Sequence, residues 1–369
     1  MNSKYKIIDA DTHVFEPLNM WGEYLESEYK SFAPSPDMKI GGEDIYGRVS
    51  QQAASRWAQQ ILQVYPEAKT EGFTNQLHLS TMKQMGADIS FIYPTVGLFI
   101  LAMDTMKPTV AGAFTRAYNN WLYQFCNYAP ERLKGVGLVN LHAPEEMVAE
   151  LHRIARLGYL AVCLRPNPTK GRTLSDSAYE PFWFACEELG IAVAIHEGTH
   201  SRLPTTGADR FDSRFAQRAC SHPMEQMMAL LSLIEGGVLE RHPNLRVGFL
   251  ESGCSWLLYW LWRLDEEYES HYWEVKDNVK MLPSDYFRRQ CYVGFELGEP
   301  YLEQVIEAIG SDRLLFGSDY PHVHWGRQQE KGKEKPGHLD IKQSLVEQLP
   351  QETVSKILWN NPARFYGID

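Results

Sequence analysis

Residues 7–17 read IIDADTHVFEP, an apolar run that leads into two aspartates and a histidine. Asp9, Asp11 and His13 alternate along the chain, so in an extended strand their side chains lie on one face. Buried charged groups are unfavourable unless they are paired or coordinate a metal. The stretch therefore predicts a strand whose carboxyl end, Asp11 and His13, supplies metal ligands. Asp9 would lie deeper in the fold as structural support.

Seven further apolar runs follow, and amphipathic helical patterns separate many of them. The eight predicted strands are Tyr5–Asp9, Ile89–Tyr93, Gly135–Asn140, Leu160–Leu164, Ala192–His196, Arg246–Glu251, Cys291–Phe295 and Leu314–Gly317. Helical spacing is clear in Pro144–Leu157 and Met224–Glu240. This alternation predicts an α/β fold, a parallel (β/α)8 TIM-type barrel. A doubly wound open sheet is the alternative, but no glycine-rich dinucleotide motif follows the first strand.

The connection after the first strand is too long for an ordinary βα loop. Residues 16–75 include Trp21, Tyr24, Tyr29 and Trp57. We expect this segment to fold over the barrel mouth as a cap, within a single barrel domain of residues 1–369. Its aromatic side chains favour a flat, partly apolar substrate.

Composition limits the classes of partner and compartment. The chain has 36 Lys and Arg against 47 Asp and Glu, a net charge of −11, which disfavours nucleic acid as a partner. Its six cysteines are scattered without a CxxC pair, which is typical of free thiols in a reducing compartment. The start, MNSKYKIIDAD, has no secretory signal core, and no apolar run is long enough to cross a bilayer. We therefore expect a cytoplasmic protein.

Three strand ends carry residues that could bind a metal. In a (β/α)8 barrel, the carboxyl ends of the strands converge on the active site. The first strand offers Asp11 and His13, the fifth offers His196 in IAVAIHEG, and the eighth offers Asp319 in LLFGSDYPH. Two imidazoles and two carboxylates at one point predict a divalent metal site.

The motifs DADTHVFEP, AIHEG and LLFGSDYPH resemble the amidohydrolase superfamily. The segments GVLERHPNLRVGFLESGCSWLLYWLWRLDE and ILWNNPARFYGI resemble its amidohydrolase-2 branch, which includes aminocarboxymuconate-semialdehyde and dihydroxybenzoate decarboxylases. The resemblance implies one metal ion, because the fourth strand, AVCLRPNP, lacks the lysine that bridges two. It also implies a homo-oligomer, a dimer or tetramer. Asp11 replaces the first histidine of the usual HxH motif, so zinc is the first choice and manganese a close second.

The sixth strand departs from the branch pattern, in which a histidine closes this strand. Here VGFLESGCSW places Glu251 at that position. We predict that His222, in SHPMEQMM, takes over the acid/base or substrate-polarising role from the start of a helix capped by Ser221. Substrate contacts are predicted for three further residues at the barrel mouth: Arg165, Asn140 and His322.

The leading functional prediction is metal-assisted hydrolysis of a small aromatic or carboxylated substrate. Asp319 or Glu251 would take a proton from the metal-bound water, and His222 or the metal would polarise a carbonyl. The alternative is non-oxidative decarboxylation of a phenolic or dienoic acid. A metal-stabilised binding protein without catalysis is the alternative of another class.

Overall fold

The computed structural model describes residues 5–47, 51–198, 202, 204–322, 341 and 345–368, without the side chains of 51–53. Across these ranges, eight parallel strands form the wall of a barrel. They are β1 (Ile8–His13), β2 (Ile89–Tyr93), β3 (Leu133–Gly135, continued by Gly137–Leu138), β4 (Ala161–Leu164), β5 (Ala192–His196), β6 (Val247–Leu250), β7 (Cys291–Phe295) and β8 (Leu314–Phe316). The predicted (β/α)8 barrel is confirmed.

The strands pair in chain order around the wall. The two halves of β3 pair with different neighbours: Leu133–Gly135 pairs with β2, and Gly137–Leu138 pairs with β4. The ring closes beyond the end of β8, where the Asp319 N–H donates to the Asp11 carbonyl at 2.9 Å. A parallel bridge joins Thr12 to Tyr320 beside it. The closing seam therefore brings Asp319 next to Asp11.

Helices surround the barrel, which is why its strands are buried on both faces and rich in Val, Ile, Ala and Leu. The helices after β2 are Val96–Leu101, Pro108–Cys126, Pro144–Arg156, Glu180–Leu189, Arg214–Glu235, Val238–Arg241, Trp256–Val275, Pro283–Gln290, Leu302–Ile309, Gln351–Ser355 and Asn361–Tyr366. A π-helix, Lys356–Asn360, joins the last two, and 3₁₀ turns occupy Ser177–Tyr179 and Ser311–Arg313. No helix within the described ranges has the length and hydropathy needed to span a membrane.

Two predicted strands differ from the structure by more than one residue at their ends. The first begins at Ile8 and runs through His13, instead of stopping at Asp9. Its polar residues continue the strand because they find buried partners, as when the Thr12 hydroxyl donates to the Phe91 carbonyl at 2.8 Å. The third strand ends at Leu138 rather than Asn140. The candidate ligands on β1 therefore lie inside the strand.

The helix predicted over Met224–Glu240 begins ten residues earlier, and Ser221 is not its cap. Ser213 caps it by accepting the Ala216 N–H at 3.2 Å, and the helix runs from Arg214 to Glu235 with Pro223 inside. A proline inside a helix removes one backbone hydrogen bond. Tertiary contacts offset this loss, since the buried Gln226 amide donates to the Ile195 and Leu250 carbonyls. These bonds fasten the helix across the ends of β5 and β6.

The long connection between β1 and β2 has its own secondary structure. It contains the helices Leu18–Tyr24, Gln51–Val64, Ala68–Glu71 and Asn75–Met85, a 3₁₀ turn, Lys30–Phe32, and a hairpin of Lys39–Ile40 and Glu43–Asp44. The buried Glu16 carboxylate accepts the backbone N–H groups of Thr95, Val96 and Gly97. Arg202 donates to the Ile45 carbonyl at 3.0 Å and to Glu43 at 2.9 Å. These contacts tie the connection to the loops after β2 and β5.

Candidate metal centre and active site

The structure brings all four predicted metal ligands together at the carboxyl end of the barrel. Asp11 and His13 project from β1, His196 ends β5, and Asp319 follows β8. His13 Nε2 lies 3.4 Å from Asp11 Oδ1 and 3.5 Å from Asp319 Oδ1. His196 Nε2 lies 3.5 Å from the same Asp11 oxygen. All four side chains are buried.

The donor atoms of this cluster fit a metal ion. Within the described part of the chain, Asp11 Oδ1, His13 Nε2 and both His196 ring nitrogens are buried without a hydrogen-bond partner. Buried polar atoms are normally satisfied, so a group of unsatisfied ones is suited to binding a cation. Ligand atoms of Asp11, His13 and His196 lie within 4.8 Å of one another. The other His13 nitrogen, Nδ1, is 2.9 Å from the Pro94 carbonyl, which directs Nε2 into the cluster.

The electrostatics of the cluster also favour a cation. Burial alone would lower the pKa of His13, but the carboxylates of Asp11, Asp319 and Glu251 outweigh it and raise that pKa to about 9. The pKa of His196 is raised in the same way, against burial, chiefly by Asp11. Carboxylates this close together stabilise positive charge between them. A divalent metal supplies that charge and leaves both imidazoles neutral.

Two site carboxylates have strained backbone. Asp319 and Glu251 have φ of 56° and 57°, and they are two of the four non-glycine residues with positive φ in the described ranges. Such left-handed conformations are unfavourable for residues with a side chain and persist where the surroundings enforce them. Here the strain follows directly after β8 and β6. Both carboxylates lie close to histidines of the cluster, Asp319 at 3.5 Å from His13 and Glu251 at 3.4 Å from His196.

His322 supports the cluster from the loop after β8. Its Nδ1 is 2.7 Å from Asp319 Oδ1, and its Nε2 is 3.1 Å from the Thr95 hydroxyl. Its ring centroid lies 4.2 Å from that of His13. His322 therefore orients one candidate ligand and packs on another.

Glu251 and His222 form a second group beside the metal cluster. Glu251 Oε2 is 3.4 Å from His196 Nδ1, and its Oε1 is 3.4 Å from His222 Nε2. His222 Nδ1 lies 3.2 Å from the buried carboxylate of Glu197. Burial and Asp319 act to raise the pKa of Glu251, but its contacts with His222 and His196 hold that pKa below its usual range. Glu251 is therefore an ionised carboxylate.

A pocket opens next to these groups. Its lining combines polar and basic side chains with apolar ones. The lining residues are His13, Trp57, Pro94, Thr95, Leu98, Phe99, Gly198, Arg214, Arg218, His222, Glu251 and His322. The arrangement can hold a flat molecule with one end at the metal cluster.

This site agrees with a family comparison. An amidohydrolase family model, Amidohydro_2, matches residues 8–368. The chain belongs to the amidohydrolase family. The resemblance carried by DADTHVFEP, AIHEG and LLFGSDYPH is therefore confirmed.

Relatives of this amidohydrolase include decarboxylases. It is 26% identical over 264 residues to the 2-amino-3-carboxymuconate-6-semialdehyde decarboxylase of Dictyostelium discoideum, covering 71% of this chain and 69% of that one. Its fold is similar to an amidohydrolase of Mycobacterium avium subsp. paratuberculosis, with a TM-score of 0.76, 20% identity, and 99% and 100% of the two chains covered. It is also similar to a Novosphingobium aromaticivorans 5-carboxyvanillate decarboxylase complexed with manganese and 4-hydroxy-3-methoxy-5-nitrobenzoic acid, with a TM-score of 0.71, 20% identity, and 99% and 97% covered.

Two residues predicted to contact the substrate, Asn140 and Arg165, lie outside the pocket lining that the described residues form. The Asn140 amide donates to the Pro108 carbonyl at 2.9 Å and to Glu146 at 3.0 Å, so it holds a loop outside the pocket. Arg165 is buried and donates to the Pro168 carbonyl at 3.0 Å, and it is absent from the pocket lining that the described residues form. Its charge faces Asp104, Glu197 and Glu225, and burial lowers its pKa. Arg165 thus lies behind the pocket wall.

Several site residues of the amidohydrolase were missed in the sequence. Glu197 stands in AIHEG beside His196, and its burial next to His222 is visible only in the fold. Arg214 and Arg218 precede His222 at intervals of four, the spacing of one helix face. A helix prediction that began at Ser213 would have placed Arg214, Arg218 and His222 on one face.

Proposed function

We propose that this amidohydrolase catalyses the metal-dependent, non-oxidative decarboxylation of a planar aromatic or dienoic acid. The observation that carries the proposal is His222, which lines the pocket between the carboxylates of Glu197 and Glu251, at 3.2 and 3.4 Å. An imidazole flanked in this way is arranged to hold a proton and deliver it to a reacting atom. Decarboxylation requires such a donor at the carbon that loses CO2.

Asp11, His13, His196 and Asp319 would hold the metal. A divalent ion held there would supply positive charge that stabilises the negative charge of an acidic substrate. Two carboxylate ligands suit a harder ion, and a relative of the same fold is complexed with manganese. These two points put manganese ahead of zinc, the reverse of the order predicted from the sequence.

The residues of the chain then act in defined roles. Trp57, Leu98 and Phe99 offer an apolar wall for the flat part of the substrate. As the bond to the carboxylate carbon breaks, its electron pair stays on the ring or chain carbon, and His222 gives that carbon a proton. The C–H bond forms, CO2 leaves, and His222 recovers a proton from solvent. Glu251, ionised throughout, stabilises the proton-carrying imidazole instead of acting as a base.

Hydrolysis, the leading prediction from the sequence, becomes the second candidate function. It needs a free base for the attacking water, and Asp319 Oδ1 already faces His322 Nδ1 at 2.7 Å. A non-catalytic metal site is disfavoured for another reason. Structural metal sites are closed, whereas a pocket adjoins this cluster.

A panel of carboxylic acids tests the proposal. Manganese-loaded protein is incubated in ¹⁸O water with dihydroxybenzoates, carboxylated phenols and dienoic acids. We expect release of CO2 from at least one acid, with no ¹⁸O in the organic product. Hydrolytic cleavage with ¹⁸O incorporated, and no CO2, would overturn the proposal.

The proton donor is tested by a variant. His222→Gln should lower kcat by roughly 10²–10⁴-fold, the usual range for loss of a general acid, with metal content unchanged. His152→Gln, which changes an exposed histidine on the Pro144–Arg156 helix, serves as the control. An undiminished rate in His222→Gln would remove His222 from the mechanism.

A further inference from the structure

The helix over the pocket, Arg214–Glu235, presents three basic side chains to the cavity. Arg214, Arg218 and His222 are spaced four residues apart, which places them along one helix face. All three line the pocket together with Glu251. The proton-donor role proposed for His222 leaves the two arginines without a function.

Glu251 offsets the positive charge of these side chains only in part. Its oxygens already lie 3.4 Å from His196 and from His222. Arg218 Nη2 is 3.7 Å from Glu251 Oε1, which is longer than a direct hydrogen bond. The Arg218 side chain keeps 34% of its surface exposed. Its guanidinium is therefore accessible from the cavity.

Arg214 adds a second positive charge. Among the residues that the structure describes, no carboxylate lies at ion-pair distance from its guanidinium. Burial, and then the charge of Arg218, lower the pKa of Arg214 to about 10, so it remains cationic at neutral pH. Two guanidinium groups thus share one carboxylate that is already engaged elsewhere.

The apolar lining residues limit the shape of the ligand. Trp57 and Phe99 offer flat aromatic rings and Leu98 is apolar, and the metal cluster lies at the His13 and His322 side of the same pocket. Guanidinium groups bind carboxylates through two parallel hydrogen bonds, which gives both affinity and direction. A planar acid seated on the apolar wall can therefore meet metal ligands with one group and arginines with another.

We propose that Arg214 and Arg218 form an anion-binding subsite, which holds a second acidic group of the substrate besides the carboxylate at the metal. This inference rests on the proposed decarboxylase function and narrows its substrate to planar molecules with two anionic groups. The arginines are specificity-determining residues, since an acid with a single anionic group leaves them unmatched.

Binding of inert acids tests the subsite independently of turnover. Isothermal titration calorimetry on manganese-loaded protein compares benzene-1,3-dicarboxylate with benzoate, which differ only in the second carboxylate. We expect the dicarboxylate to bind at least about tenfold more tightly, the advantage of one well-placed charged contact. Arg214→Gln and Arg218→Gln should each remove most of that advantage while changing benzoate affinity by less than about twofold.

The control is Arg210→Gln, whose wild-type side chain is 74% exposed on the surface and should matter for neither acid. Arg214→Lys and Arg218→Lys keep the charge, and they should retain part of the preference even where a glutamine variant folds poorly. Equal loss for both acids in the variants, or no dicarboxylate preference in the wild type, would overturn the subsite. Preserved dicarboxylate binding without CO2 release from any acid would instead count against the decarboxylase function alone.

Discussion

At the scale of single residues, Glu251 determines what the neighbouring groups can do. It stands where related sequences are expected to carry a histidine, and its carboxylate meets His196, His222 and Arg218 at 3.4, 3.4 and 3.7 Å. An ionised acid in that place cannot donate a proton. It can stabilise positive charge on its neighbours, so we propose that the proton donor lies on the helix over the pocket, at His222.

Replacing Glu251 with glutamine tests this account. Glu251→Gln keeps the size of the side chain but removes the charge that stabilises the proton-carrying His222. We expect kcat to fall by at least about 10²-fold, with one metal still bound because the four ligands remain. Steady-state kinetics and metal analysis check both. Glu307→Gln, on the exposed face of the Leu302–Ile309 helix, is the control, and unchanged kcat in Glu251→Gln would refute the role.

His142 makes the folded state sensitive to acid. It is buried with Nε2 3.1 Å from the Met103 carbonyl, and burial, with the charges of Arg165 and Lys170, lowers its pKa from 6.5 to about 4. Between these two pH values the unfolded chain binds a proton at His142 that the folded chain does not. Stability is therefore lost as the pH falls from about 6.5 to 4, by up to about 3 kcal/mol from this residue.

The measurement is urea unfolding at pH 7 and pH 4.5 for wild type and His142→Gln. The variant should lose less stability between the two pH values than the wild type does. Parallel losses would show that His142 does not titrate in this way.

Single residues also show which parts of the site can be predicted from the sequence. Asp11, His13, His196 and Asp319 could be grouped because the carboxyl ends of parallel strands converge. Asn140 closes a predicted strand too, yet its amide is occupied by Pro108 and Glu146. Those partners depend on how two helices approach the loop, which no local pattern encodes.

At the scale of elements, the seam between β1 and β8 positions the metal cluster. A Cβ atom added at Gly317 would lie 2.6 Å from the Asp11 Cβ, so only glycine allows this approach. The Asp319 N–H bond to the Asp11 carbonyl follows two residues later. The two strands must pack this closely for Asp11 and Asp319 to share an ion.

Gly317→Ala should therefore damage the site. The added methyl group would push Asp11 away, with a loss of stability of about 1–3 kcal/mol and weaker metal binding. Thermal unfolding and metal titration measure the two effects. Gly22→Ala, where nothing lies within 4 Å of the new Cβ, is the control. Normal metal affinity in Gly317→Ala would contradict the proposed seam.

The helix over the pocket shows why element ends are hard to predict. Ser221 followed by Pro223 has the local form of a helix start, and Ser213 has it as well. The choice between them is made by packing, since Gln226 is bonded to the ends of β5 and β6 and the preceding turns continue over the mouth. The hydrophobic spacing from Met224 onward identifies only the part of this helix that packs on the barrel, and not the turns before it.

At the scale of the whole molecule, the connection between β1 and β2 reaches the pocket. Trp57 lies 5.4 Å, between ring centroids, from both Phe15 and His322. The Glu43–Arg202 contact at 2.9 Å links the same connection to the loop after β5. We propose that residues 16–75 act as the cap expected from the sequence, within one domain of residues 1–369.

Two neighbouring helices on the outside of the barrel expose apolar side chains that could contact a second copy of the chain. Tyr259 and Trp262, on the Trp256–Val275 helix, are 58% and 53% exposed, and Met224 and Met228 are exposed on the adjoining helix. The Trp260 indole donates to the Met227 carbonyl at 2.9 Å and holds the two helices together. Clustered exposed apolar residues of this kind are typical of protein interfaces.

We propose that the chain forms a homodimer or tetramer through this face. Light scattering coupled to size-exclusion chromatography should give a multimeric mass for the wild type and a smaller mass for Trp262→Glu. Tyr301→Glu, which changes an exposed aromatic residue elsewhere, is the control. A monomeric wild type would contradict the proposal.

The most direct test of the account is reconstitution of metal-free protein with an acid that the panel identifies as a substrate. Manganese or zinc is added in steps to chelator-treated protein while CO2 release is followed. The account predicts no release without metal, a linear rise up to one equivalent per chain, and a plateau beyond it, with none of this in His196→Ala. Full CO2 release from the metal-free protein, or a rise that continues to two equivalents, would contradict it.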